Sequence, residues 1–406
     1  MLIEQYIFII IFLSAFAFFI IIHIAYPFWV HMPVSHTYDI HHRFYTMSNQ
    51  AIKVLQQYPY KNKWVSKKET ATVSYHDLCD ATKTEVIDQL HCNYIPSDSI
   101  LFTIEKKHLD TFFSGHFDTP FVTTYIQNVF TKENVFTKGP EDKNKPLGCI
   151  CSYPVHILYR KQKTMANNLV FLACDRENPI HKEITRKLIA THEYTCRNRV
   201  TDIKMSLLKK HIGKCEGVKP LLTFSTHLYY IQSPAKSTKS KSLPVIQVYR
   251  ENWSYAQDIL DLMGRIFDFC AYIDVGAMKA RVDAGQLWIF AIKYGGDILA
   301  AYFIEDAMML YEKVNDYGGK TLNLVGSVYN MKDDGSKVFI KGFADCLALI
   351  QKQNRDYTML LMDDVGHNKI LCGGANTEIV KTTGAYYLIN GLLPESIDLN
   401  RAFMGL

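Results

Sequence analysis

The sequence predicts an α/β protein with a mixed sheet, built as two halves of similar element order behind one N-terminal transmembrane helix. Three observations predict it. Residues 6–22, YIFIIIFLSAFAFFIII, carry no charge. Residues 148–194 read as strand, turn, strand, loop and helix. After a Ser/Lys-rich break at 233–244, SPAKSTKSKSLP, the stretch 287–362 repeats that grammar. The 406 residues are 48% hydrophobic and 21% charged, which excludes a disordered tail, a collagen-like repeat and a disulfide-stapled miniprotein. They suffice for two domains or one large one with its own core.

The N-terminal segment comes first. Continued to Val30, it offers about 25 largely apolar residues, enough for a ~30 Å hydrocarbon core. Tyr6, Tyr26 and Trp29 stand near its ends, where amphipathic rings favour the interface. A cleaved signal would want a basic start and a small-x-small cleavage site; here the start is MLIEQ and no such site follows. A retained anchor over 1–30 is expected, with membrane contact through 6–30. No Lys or Arg precedes it, and Arg43, Lys53, Lys61, Lys63, Lys67 and Lys68 follow. The positive-inside rule makes this a single-pass protein with its soluble part on the cytosolic side.

Residues 31–75 read as a polar juxtamembrane connector. A helix is expected from about Ser74, with Val86, Ile87 and Leu90 on its apolar side. IPSDS at 95–99 is a turn, 100–104 a strand and 107–113 a short helix; 131–146 is a polar loop full of breakers. Alternation and β-rich composition make 148–159 a strand. A turn at 161–163 leads to a second strand, 168–174. The charged loop 175–178 opens a helix over 180–194, with Ile184, Leu188 and Ile189 on one face. In the second half, 287–293 and 297–304 pair across Gly295-Gly296, a hairpin signal. Strand 322–331, helix 338–352 and strand 357–362 follow.

Charge and cysteines narrow the partners. A net charge of +5 falls far short of a dedicated nucleic-acid binder, and the lysines of 233–244 read as a solvated linker, so no nucleic acid is expected. The ten cysteines form no CxxC and suit reduced, buried thiols. No metal is expected, because His and Cys never recur at ligand spacing; His31, His36, His41 and His42 read as a juxtamembrane run.

Seven segments carry a resemblance. Glu85–Tyr94, Gly148–Pro154, Phe171-Leu-Ala-Cys174, Thr226–Ile231, Ser327-Val-Tyr-Asn330, Asp364-x-x-x-Asn368-Lys369 and Tyr386-Tyr-Leu-Ile-Asn390 resemble, in order, segments of the N-myristoyltransferase family. The 17 residues from Asn390 to the end resemble its tail in length. The resemblance implies two tandem acetyltransferase-like domains: an acyl-CoA half at 76–232, the linker at 233–244, and a peptide-binding half at 245–406. It implies a long-chain acyl-CoA such as myristoyl-CoA as co-substrate, with no permanently bound cofactor. A protein or peptide with an N-terminal glycine amine is the implied acceptor.

The resemblance also implies roles. Backbone N–H groups of Phe171 and Leu172 would stabilise the thioester oxyanion, the Leu406 carboxylate would be the base, and Thr195 would lie at the acceptor amine. Tyr94, Cys174, Arg176, His181, Lys182 and Arg186 would flank acyl-CoA. Tyr329, Asn330, Leu361 and Lys381 would line the acceptor groove. The sequence departs from the family at several of these places. Arg176-Glu-Asn-Pro179 replaces small phosphate-approaching residues, and Cys196-Arg197 follows Tyr194-Thr195 in place of Ala-Gly. Lys381 stands for an acid and Leu361 for an amide. The alternative is therefore a catalytically degenerate binding or structural membrane protein of the same fold.

Overall fold

The computed structural model describes residues 2–39, 51–95, 97, 99–126, 146–231, 244–314, 317–330, 336–372 and 377–406. The connection 233–243, the loop 131–145, Met331, His41 and His42 lie outside them. Helix α1 (Leu2–Ala25) is strongly apolar from Tyr6 onward. Its stretch Gln5–Ala25 is long and apolar enough to cross a membrane, and nearly all of it is uncovered by the fold.

The first half contributes β1 (Lys53–Val54), β2 (Thr70–Ser74), α2 (Asp80–Asn93), β3 (Ile100–Phe102), α3 (Lys106–Phe112), β4 (Phe121–Ile126), β5 (Pro146–Tyr159), β6 (Gln162–Cys174), α4 (His181–Arg199), β7 (Met205–Lys210) and β8 (Leu222–Tyr230). The second contributes β9 (Val245–Gln247), α5 (Ser254–Ile266), β10 (Phe269–Ile273), α6 (Val275–Asp283), β11 (Leu287–Tyr294), β12 (Asp297–Val314), β13 (Tyr317–Tyr329), α7 (Ser336–Gln353), β14 (Tyr357–Asp363), α8 (Asn368–Leu371), β15 (Thr377–Ile389), β16 (Gly391–Leu392) and β17 (Ala402–Gly405).

One mixed sheet runs β17-β10-β5-β6-β7-β15-β8-β14-β13-β12-β11-β9, with β4 and β2 continuing from β5 and β3 from β12. The halves interleave. β15 enters between β7 and β8 of the first half, and β10 carries β17 onto the edge of β5. On one face, α4 seats Ile184 and Leu188 against Ile150, Leu169 and Leu208. On the same side of the second half, α7 seats Phe339, Phe343 and Leu347 against Phe290, Tyr302 and Leu360. The other face is concave and closed by α2, α3, α5 and α6.

Several elements differ from expectation. The helix expected from Ser74 starts at Asp80, because Thr70–Ser74 pairs with β4 as a strand. The described part of 31–75 is knitted into the fold. Val34 bridges to Ile389, His36 to Val218, and β1 pairs with β16. Helix α5 and strands β7, β10 and β17 stand where no element was assigned.

Candidate active site

The hairpin β5–β6 holds an irregularity. Its register runs Cys151↔Val170 and then Cys149↔Ala173, so Phe171 and Leu172 together face Ile150. That is a β-bulge, and Phe171 takes a left-handed φ of 53°. For a bulky side chain this conformation is strained, and such strain gathers where the backbone has a task. On its other edge β6 pairs with β7 in parallel only over Ala166–Leu169. Past Leu169 the two strands part at the bulge. The bulge thus lies at an opening in the sheet.

Aromatic rings line this opening. The Phe171 ring lies 4.9 Å from Phe112, 5.6 Å from Tyr94 and 6.0 Å from Phe102, centroid to centroid. Sequence reasoning placed Tyr94 near the acyl donor, and the structure puts it against Phe171. Burial pushes the Tyr94 phenol to about 12. The concave face beyond is charged and polar. Lys209 Nζ lies 2.7 Å from Asp363 Oδ2, and Thr226 Oγ1 donates to Asp363 Oδ1 at 2.7 Å. Burial works against the Lys209 ammonium, but Asp363 wins and holds it protonated well above the ordinary lysine range. Arg281 is stacked 3.9 Å over Phe112 and lies 3.7 Å from Glu305. Burial raises the Glu305 carboxyl, against the pull of Arg281.

The chain's end reaches the same interior. β17 runs parallel to β10, from Phe269↔Ala402 to Tyr272↔Gly405. Ala402, Phe403 and Met404 are buried. Leu406 lines a small cavity with Ile273, Phe303, Arg281 and Glu305. Arg281 in turn stacks on Phe112, whose ring packs at a tilt against Phe171.

The loop after β6 is organised differently. Asp175 Oδ1 accepts the N–H of Glu177 at 3.0 Å, and Asn178 Oδ1 accepts that of Ile180 at 3.1 Å. Pro179 has no N–H. Two of the donors that would cradle a pyrophosphate are therefore occupied by this chain's own side chains. Cationic residues surround the loop. Arg176 and Lys182 are exposed and His181 is half-buried. The Arg186 guanidinium lies 5.1 Å over Trp64. Cys174 is buried and its Sγ–H points to the carbonyls of Asp175 and His181.

Three solved structures of Saccharomyces cerevisiae N-myristoyltransferase with bound myristoyl-CoA match this architecture. One has a TM-score of 0.62 at 13% identity, covering 90% of this chain and 92% of the other. A second has 0.64 at 12%, covering 90% and 88%. A third, which also holds inhibitors, has 0.63 at 13%, covering 94% and 95%. The chain has the N-myristoyltransferase fold. No family model matches the sequence, and no curated protein matches it.

Within this N-myristoyltransferase fold, the expected acceptor residues do not converge. Leu361 registers against Leu228, and Lys381 against His227, the neighbouring residue on β8. Successive residues of a strand point to opposite faces. Leu361 therefore shares the concave face with Asp363, and Lys381 lies exposed on the other. Tyr329 packs against Phe339 of α7, and Asn330 is exposed at the end of β13. Thr195 is half-buried on α4, across the sheet from the Phe171 ring. Two of the motifs serve the frame. Ser327 Oγ donates to Asn368 Oδ1 at 2.7 Å, and Asp364 Oδ1 accepts the Ser225 N–H at 2.6 Å. Sequence reasoning missed Lys209, Arg281, Glu305 and Asp363, since a lone charge in a strand, or on helix α6 in the case of Arg281, carries no local sign of burial. Among the described residues no three His, Cys, Asp or Glu side chains converge as a metal site would need.

Proposed function

We propose that this protein is a membrane-anchored acyltransferase that moves a long-chain acyl group from acyl-CoA to an amine, with an N-terminal glycine as acceptor. The left-handed bulge at Phe171, at the mouth of the parted strands, carries this reading. A nucleophilic nitrogen would attack the thioester carbon. Backbone N–H groups of Phe171 and Leu172, turned out of the ladder, would meet the developing oxyanion. The amine proton would pass to the Leu406 carboxylate, the C–S bond would break, and the departing thiolate would take up that proton to leave as the free thiol. Arg176, His181, Lys182 and Arg186 would hold the phosphates by charge. Acyl-CoA acts here as a co-substrate and not as a resident cofactor.

Helix α1 anchors the chain in a single pass, with residues 31–406 on the cytosolic side. Free thiols and the lysines after the span support that orientation. Protease digestion of sealed membranes tests it. A shielded C-terminal half would reverse the topology.

The test of activity is direct. Detergent-solubilised full chain is mixed with myristoyl-CoA and a glycine-initiated peptide, and acyl-peptide is read by mass spectrometry. Product formation that depends on an intact C-terminus is expected.

A second reading has its own support. Asp175 and Asn178 cap the loop that would bind phosphate, which favours a module that keeps the fold without transfer. Under it, acyl-CoA gives neither a thermal shift nor product. Under the first, ligand at ~100 times its dissociation constant adds about 2.7 kcal/mol of stability.

A further inference from the structure

The anchor joins the fold without a spacer. Helix α1 ends at Ala25, and the next residue, Tyr26, lies with its ring against Gly217. A Cβ on Gly217 would come within 2.8 Å of that ring. Backbone bonds then fix the exit. Thr37 N–H donates to the Gly217 carbonyl at 3.1 Å and Lys219 N–H to that of Ser35 at 2.7 Å. Trp64 Nε1–H donates to the Pro27 carbonyl at 3.3 Å, and Asn62 Nδ2–H to that of His31 at 3.2 Å. The helix is touched along its last two turns as well. Phe18 meets Tyr38 edge-on at 6.4 Å, His23 meets His31 at 5.9 Å, and Ile22 is buried. A helix held this way cannot let the domain swing free.

Two loops flank the exit, 56–64 on one side and 211–219 on the other. Both present large apolar side chains to solvent. Tyr58 is 87% exposed, Tyr60 73% and Ile212 69%. Lysines stand among them: Lys61, Lys63 and Lys214, all exposed. Across 51–69 there are five lysines and a single acid, Glu69. Exposed aromatic rings interleaved with lysines suit the headgroup region of a bilayer, where rings lie at the interface and ammonium groups meet anionic phosphates.

We propose that this rim, formed by Tyr58, Tyr60, Lys61, Lys63, Ile212 and Lys214, is a second membrane contact that binds anionic headgroups of the bilayer crossed by α1. The proposal rests on the membrane reading of α1. The occupant follows from continuity with the helix exit and from charge. The rim would hold the domain flush with the bilayer in one orientation. Arg186 over Trp64 places the N-terminal turns of α4 beside this rim, so the proposed donor loop would sit near the membrane surface, where long acyl chains partition.

Full-length protein is reconstituted into vesicles of phosphatidylcholine alone or with phosphatidylserine, and trypsin cleavage is mapped by mass spectrometry. Lys352 and Arg355, at the far end of α7, serve as internal controls. Phosphatidylserine is expected to slow cleavage after Lys61, Lys63 and Lys214 at least tenfold. The controls are expected to stay unchanged, and high salt to restore cleavage at the three rim sites. Equal cleavage in both vesicles, with the chain still resistant to carbonate extraction, overturns the rim and leaves the anchor standing. Extraction of the whole chain by carbonate overturns the anchor, and the rim with it.

Discussion

Asn390 holds Gln56 from both sides of its peptide: Oδ1 accepts the Gln56 N–H at 2.7 Å, and Nδ2 donates to the Gln56 carbonyl at 2.9 Å. A second Nδ2 hydrogen bond reaches the Lys204 carbonyl at 2.7 Å. Asn390 is fully buried and takes a left-handed φ of 60°, a conformation asparagine tolerates better than most residues. One side chain thus ties the segment after α1 to both halves of the sheet.

Removing it should be costly. Asn390→Ala leaves the Gln56 amide and the Lys204 carbonyl without this partner, at about 1–3 kcal/mol for each group, while the Gln56 carbonyl keeps its 2.9 Å hydrogen bond from Arg197 Nη2. The total should be about 2–5 kcal/mol in denaturant unfolding. Asn390→Asp keeps the acceptor but sets a carboxylate against two carbonyls, and should cost as much. A loss below 1 kcal/mol for both variants would show that Gln56 finds other partners.

Lys209 and Asp363 meet although β15 and β8 lie between their strands. The sheet must curve strongly for that, which makes its face a groove. Lys209 also lies 5.3 Å over Phe224 and 5.6 Å over Tyr386. Asp363→Asn strands a buried ammonium and should destabilise by about 3 kcal/mol. The pair replacement Lys209→Met with Asp363→Leu should cost less than Asp363→Asn alone. A double-mutant cycle checks this, and additive effects would mean that the two groups do not interact.

How far the sequence reached is clearest at β5–β6. Alternation made that hairpin readable, and the loop and helix after it followed from their polarity and period. The bulge inside it was not readable as backbone geometry, because Phe carries no sign of a left-handed φ; only the family resemblance pointed to Phe171. Lys381 shows the opposite failure. The resemblance set it in the acceptor groove, five residues before Tyr386. Here Thr377–Ile389 is one uninterrupted strand, and an odd spacing in a strand changes face. The ends of the chain were hard to read for a further reason. The AFMG strand at 402–405 and the connector after α1 are ordered by partners more than a hundred residues away in sequence.

Acid and base limits of stability should be set by two neighbours on α4. Burial lowers His192 to about 3, from 6.5. The unfolded chain therefore binds this proton first, and stability falls as pH drops from 6.5 towards 3. Burial raises Glu193 to about 7, from 4.5, against the pull of Arg197. Here the folded chain binds the proton more tightly, so stability falls as pH rises from 4.5 to 7. The two slopes oppose each other between about 4.5 and 6.5. Glu193→Gln should stabilise at pH 8, by roughly 2–3 kcal/mol, and leave the acid limb in place. His192→Gln should flatten the acid limb. Melting curves from pH 4 to 8 give both, and an E193Q profile parallel to the native one would mean that Glu193 ionises normally.

The terminal carboxylate offers the sharpest separation between transfer and mere binding. Gly405 is the last paired residue of β17, so Leu406 alone projects from it into the cavity shared with Arg281 and Glu305. Residues appended after Leu406 would convert its carboxylate to a neutral amide while leaving Ala402–Gly405 paired. Such an extension should reduce transfer by about 10²–10⁴-fold, the usual worth of a general base, with little change in melting temperature. Deleting Met404–Leu406 is a poorer test, because it also removes the buried Met404 and unpairs half of β17. The acceptor side can be separated in the same assay. Leu361→Asn adds an amide to the concave face beside Asp363 and should change the rate on glycine peptides. Lys381→Asp, on the other face, should not. If the extended chain transfers at the native rate, the base is a different group, and Glu305, whose carboxyl burial raises, is the next to replace. If Lys381→Asp alters the rate while Leu361→Asn does not, the acceptor does not lie along the face that holds Asp363.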